Sequence, residues 1–168
     1  YRIGGLNLPL LFLGLRAIPP IAVLVPYYVM FTSLGLYNTL LGIVIAMQII
    51  LLPLTVWFLI GVFKSIPRDA DEAALLDGCS HLQVFARVIL PQAREGVIVT
   101  MVFALIFSWV EFLLVFVLSS TEIAQTLPLF ASYMVSEWGI LWGPCSACGI
   151  LLVVPVVIMA IIIRRYLI

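Results

Sequence analysis

Long apolar runs parted by short polar breaks dominate the chain. Leu6 to Leu34 forms the first run, interrupted by Arg16, Pro19, Pro20 and Pro26. Proline removes a helical hydrogen bond and clashes with the preceding turn, so this run is predicted to be kinked or broken. Thr39 to Phe63 follows without a charge, Gly96 to Leu118 carries only Glu111, and Leu141 to Ile163 ends on Arg164 and Arg165. About 20 residues span a bilayer as a helix, and only helices or closed barrels satisfy the backbone there. The expected fold is therefore all-α, a polytopic bundle of about four transmembrane spans.

The most polar stretch, residues 69–91, reads "DADEAALLDGCSHLQVFARVILP". Its residue order predicts two short helices. Pro67 suits a first helical turn, and Asp69, Asp71 and Glu72 place negative charge where the helix dipole favours it. Ala70, Ala73, Ala74 and Leu75 are strong helix formers. Gly78 is placed to end the first helix in the left-handed conformation, giving a helix from Pro67 to Asp77. Ser80 and Gln83 have the spacing of a capping box. Val84, Phe85, Val88 and Ile89 supply an apolar stripe, and Pro91 is expected to stop the second helix. A mere connecting loop needs none of these devices. Ala73, Ala74 and Leu76 present a low-relief surface that a groove in a partner can receive.

Composition agrees with a lipid setting. Of 168 residues, 65% are hydrophobic and 10% charged, against about 25% charged in soluble domains. Eight basic and eight acidic residues balance, and no basic patch points to nucleic acid. Lys64, Arg68, Arg87 and Arg94 fall between the second and third runs, and Arg164 and Arg165 follow the fourth. The turn at 35–38 and the loop at 119–140 have no basic residue, so the positive-inside rule puts residues 64–95 and 164–168 in the cytoplasm. Trp138 and Trp142 are read as interfacial anchors. The start at Tyr1 has no signal-peptide pattern, and a fragment is expected. Cys145 and Cys148 form a C-x-x-C within "GPCSACG", read as small-residue helix packing. His81 has no obvious zinc partners, so no metal site is expected. Glu111 must face protein or water, either on a polar path or as a hydrogen-bonded structural acid. Trp109 and Arg16 are the other candidates for that path. Intramembrane groups are too few for ion coupling by a secondary transporter, and no catalytic set is evident.

"EAALLDGCSHLQVFARVILP" (72–91) resembles the EAA motif of binding-protein-dependent ABC importer permeases, through Glu72, Ala73, Ala74, Gly78, Leu90 and Pro91. Val88 stands where isoleucine is usual. "IPP" at 18–20, "LGLYNTLLG" at 34–42, "SWVEFL" at 108–113 and "TLPLF" at 126–130 resemble the carbohydrate branch, with its maltose-type permeases. The family's "WNEF" reads with Val110 in place of asparagine. The resemblance implies a type I importer permease domain over 1–168, short of the family's further N-terminal spans and C-terminal tail, with a cytoplasmic coupling segment at 67–91. It implies that Glu72, Ala73, Ala74, Leu76, Asp77 and Gly78 couple to an ATPase. The chain has no phosphate-binding P-loop, so ATP and Mg are expected on that separate ATPase and no cofactor on this chain. Two ATPase subunits, a second homologous permease and an extracytoplasmic solute-binding protein are the implied partners, in a bacterial or archaeal plasma membrane. The implied function is import of a sugar or sugar-derived solute, not an enzymatic reaction. An amino acid, peptide or phosphate remains the alternative.

Overall fold

The computed structural model describes residues 2–3, 6–7, 11–12, 14, 17–67, 69–136 and 139–167, with side chains between Leu11 and Arg164. Helix α1 covers Pro20–Ser33, α2 Leu40–Lys64, α3 Asp69–Leu76 and α4 His81–Val84. A π-helical turn, Phe85–Ile89, joins α4 to α5, Leu90–Trp109. Helices α6 (Leu113–Leu118), α7 (Leu127–Ser132) and α8 (Trp142–Leu167) complete the helical set. Two short antiparallel pairs flank them, one of which, Val135–Ser136 with Gly139–Ile140, leads into α8. Among the described residues, three helical stretches are long and apolar enough to cross a membrane: Leu40–Lys64, His81–Trp109 and Trp142–Arg164.

The first apolar run is broken, as its prolines suggest. The chain turns at Ala17–Pro19, and α1 starts with Pro20 in its first turn, where a missing N–H is harmless. At 14 residues, α1 is only about 21 Å long, shorter than a full span. Pro26 is held inside it. Arg16 lies outside the described residues, as do Arg68 and Trp138.

Helices α2 and α5 run antiparallel. Val62 packs over Gly96, and Phe58 stacks on Phe103 with ring centroids 5.6 Å apart. Helix α8 lies along α5. The best-packed part of the molecule is around α6. Leu114, Val115 and Leu118 are buried against Leu24 and Phe31 of α1 and Ile43 and Ala46 of α2, with Ala124 and Leu129 sealing the other flank. Elsewhere large apolar side chains such as Val25, Ile150 and Ile161 are exposed, which suits helices facing lipid or other helices.

Three expectations about boundaries are corrected. The third span does not run from Gly96 to Leu118. It begins earlier, stops at Trp109, breaks at Val110–Phe112 and resumes as α6. No proline or glycine marks that break. It is held by contacts of α6 with α1 and α2, while α5 packs on α2 and α8. The first surface helix is shorter than Pro67–Asp77, because Pro67 precedes it and Asp77 lies beyond its last residue. Pro91 does not stop the second helix either. The Leu90 N–H reaches back to the Phe85 carbonyl, five residues earlier, so the widened turn just before Pro91 carries the helix past a residue that has no N–H to give.

Candidate functional site

The polar ledge at 69–89 is built by its own side chains. Asp69, Asp71 and Glu72 occupy the first turn of α3, where the unpaired N–H groups favour negative charge. At its far end the Cys79 N–H donates to the Ala74 carbonyl and the Gly78 N–H to the Leu75 carbonyl, both at 3.1 Å. This is the Schellman closure, and it needs a left-handed residue. Gly78 supplies it with φ +85°. The capping box then forms as its spacing predicts. The Ser80 N–H donates to Gln83 Oε1 at 2.8 Å, and the Gln83 N–H to Ser80 Oγ at 3.4 Å. Val84 is buried and Phe85 meets Phe63 of α2 with ring centroids 6.2 Å apart, so the ledge is moored to a span.

What the ledge leaves uncovered is apolar as well as charged. Leu76 is 89% exposed and Leu82 77%. Glu72, Ala73, Asp77 and Gly78 are exposed, and Ala74 is half-buried. The structure thus brings the expected coupling residues onto one short element. His81 is exposed at the start of α4.

The expected path residues separate. Trp109 turns to α8, where its indole Nε1–H donates to the Leu152 carbonyl at 3.1 Å. That carbonyl is next to the one at Leu151, which Pro155 deprives of its helical donor. Glu111 sits in the 110–112 break, half-buried, and its Oε1 accepts from the Leu114 N–H at 3.0 Å. It therefore caps α6, satisfying a backbone donor that the break would otherwise leave bare. Its neighbours are Met47, Ile50, Leu51, Phe107 and Ser108, so it looks toward α2 while Trp109 looks toward α8.

Two residues outside the expected site set also matter. Asn38, in the turn before α2, has φ +57°. Its N–H donates to the Leu118 carbonyl at 2.8 Å. Its Oδ1 accepts from the Ser120 and Thr121 N–H groups at 3.0 Å each, and its Nδ2 donates to Thr121 Oγ1 at 2.7 Å. Asn38 thereby clamps the end of α6 to the start of α2. Gln48 is an exposed amide inside α2, on a groove shared with α5 that Thr55 and Ser108 also line. A lone amide in a charge-free span was the available signal. Cys145 and Cys148 lie in the first turns of α8 as free thiols, Cys148 buried.

Comparison with known proteins places this architecture. A permease from Sinorhizobium fredii, named a probable ABC transporter permease protein, is 33% identical over 91% of this chain and 55% of its own length. The trehalose/maltose transport system permease protein MalG of Thermococcus litoralis is 29% identical over 98% of this chain and 60% of its own. The sulfoquinovosyl glycerol transport system permease protein SmoH of Agrobacterium fabrum is likewise 29% identical, over 98% and 60%. The chain thus spans a little over half the length of these relatives. A chain from inward-facing structures of the MetNI methionine ABC transporter shares the fold, with TM-score 0.70 at 20% identity over 93% of this chain and 72% of that one. The family described as binding-protein-dependent transport system inner membrane component matches residues 8–168, and it is to this family that the chain belongs.

Proposed function

We propose that the chain is the permease subunit of an ATP-driven importer for a sugar or sugar-derived solute, in a bacterial or archaeal plasma membrane. The observation that carries the coupling role is the ledge at 69–89, a capped, moored surface element that exposes Leu76 and Leu82 beside Glu72. Apolar side chains so exposed next to a carboxylate, on a rigid element at the end of two spans, suit a groove in a separate ATPase. Glu72, Ala73, Ala74, Leu76, Asp77 and Gly78 form that contact. Two ATPase subunits, holding ATP and Mg, a second related permease and an extracytoplasmic solute-binding protein complete the assembly. Lys64, Arg87, Arg94 and Arg164 at the ends of the spans support a cytoplasmic ledge. A carbohydrate solute is supported by relatives named for trehalose/maltose, sulfoquinovosyl glycerol and diacetylchitobiose. The methionine transporter shares only the fold, which carries no argument for an amino acid.

The test is co-purification with an importer ATPase of the same cell. Leu76→Asp is expected to abolish co-purification and ATP-driven uptake while leaving the chain inserted in the membrane. A Leu76→Asp variant that still assembles and transports would refute the coupling role of the ledge.

A further inference from the structure

The groove between α2 and α5 has an unusual lining for a membrane face. It encloses about 350 Å³ and mixes Met101, Leu51 and Leu105 with Gln48, Thr55 and Ser108. The two hydroxyls are already satisfied locally. Thr55 Oγ1 donates to the Leu51 and Leu52 carbonyls, and Ser108 Oγ to the Leu105 carbonyl. Gln48 differs, because its amide makes no hydrogen bond among the described residues and is exposed. It is the ninth residue of α2, about 12 Å along the helix from its first residue, well inside a hydrocarbon layer about 30 Å thick. An unpaired amide at that depth is costly against lipid tails, so it must meet protein or water. The groove continues past Ser108 to Met47, Leu51 and the half-buried Glu111, so Thr55, Gln48, Ser108 and Glu111 follow one side of the α2–α5 pair.

We propose that this groove is the wall this chain contributes to the solute path, hydrated when empty, with Gln48 as the group that hydrogen-bonds a neutral polyhydroxylated solute. The inference rests on the importer reading above and deepens it. An amide offers a donor pair and an acceptor without charge, which matches hydroxyl groups that both give and take hydrogen bonds. The flanking methionine and leucine side chains suit the C–H faces of a sugar ring and adapt to its shape. A sparse polar set in an apolar wall also binds weakly enough to release its cargo.

Thiol labelling in the assembled complex with its ATPase tests this. Gln48→Cys and Ser108→Cys are placed in the groove, and Ile45→Cys on the same helix outside it. A charged trimethylammonium methanethiosulfonate reagent is applied to nucleotide-free and vanadate-trapped complex, with the unsubstituted protein as blank. In at least one of the two states, positions 48 and 108 are expected to react at least about tenfold faster than position 45, because a charged reagent needs water to reach its target. Trehalose, maltose or diacetylchitobiose, presented with the solute-binding protein, is expected to slow that reaction. A complex that hydrolyses ATP yet leaves position 48 unreactive in both states, or no faster than position 45, overturns the inference and leaves the importer reading standing. Reaction that none of the three disaccharides slows overturns the assignment of solute. A chain that joins no ATPase overturns the importer reading itself.

Discussion

The ledge at 69–89 and the broken stretch at 110–126 are both irregular interruptions of long helices, yet they are held in opposite ways. In the ledge, every deciding backbone and cap bond closes within five residues, from Ala74 to Cys79 and from Ser80 to Gln83. In the broken stretch, the decisive bonds come from Asn38, 82 and 83 residues away from Ser120 and Thr121. Local polar chemistry leaves a trace at fixed spacing. A long-range clamp leaves one asparagine that reads like any turn residue. The contrast also separates roles. The ledge is self-supporting and presents its apolar side chains outward, whereas the stretch after Trp109 is the core against which α1 and α2 pack.

Substitutions at four positions break or sharpen the contrast, from the largest effect down. A β-carbon at Gly42 would fall onto the Leu36 carbonyl oxygen, in the turn that Thr39 caps by accepting from the Gly42 N–H. Backbone cannot yield there as a side chain would. Gly42→Val is expected to cost about 3 kcal/mol or more and to show as loss of folded complex in size-exclusion yield and melting. A wild-type melting curve would mean that the Asn38 turn is not held as described.

Asn38→Ala removes three side-chain bonds and leaves a left-handed residue without the asparagine that tolerates it. The expected loss is about 2 kcal/mol, visible as a lower melting temperature of the complex. Asn38→Gly should recover part of it by relieving the backbone but not the lost bonds. Equal melting for Ala and Gly would show that φ contributes nothing.

A β-carbon at Gly78 would meet no neighbouring atom within 4 Å, so the cost of Gly78→Val is chiefly conformational, about 1–2 kcal/mol at a left-handed position. Because that strain distorts the ledge and not the core, ATP-driven uptake should fall sharply while the spans melt normally. Unchanged uptake would detach the ledge from coupling.

The smallest effect belongs to Glu111. Glu111→Gln keeps an acceptor for the Leu114 N–H and should melt like the parent protein, whereas Glu111→Leu should lose about 1 kcal/mol. If Glu111→Gln changes uptake without changing melting, the carboxylate serves the path as well as the cap.

Much of the ledge is legible in residue order because acidic first-turn residues, a glycine at the left-handed position and a Ser–Gln pair each act on their own backbone. The apolar helices are legible as lengths of hydrocarbon-compatible chain. Their ends are less so. The break after Trp109 sits in "WVEFLLVF", where Glu111 alone hints that a backbone donor needs a partner. Pro91 misleads in the other direction, since a shift to π spacing, not a stop, accommodates it. Trp109, singled out for the solute path, donates its indole N–H to the Leu152 carbonyl of α8. Its sequence neighbours say nothing of that helix.

The unbroken stretch from His81 to Trp109, 29 residues, has a mechanical consequence. At 1.5 Å per residue it is a rod about 43 Å long. Tilting such a rod by about 10° about its His81 end displaces the other end by about 7.5 Å, the arc swept at that radius. The π-helical turn at Phe85–Ile89 lies close to the pivot, and the break at Val110–Phe112 separates the tip from the firmly packed α6 beyond it. The geometry is that of a crank: a small rotation at the ledge end becomes a stroke of several ångströms near Ser108.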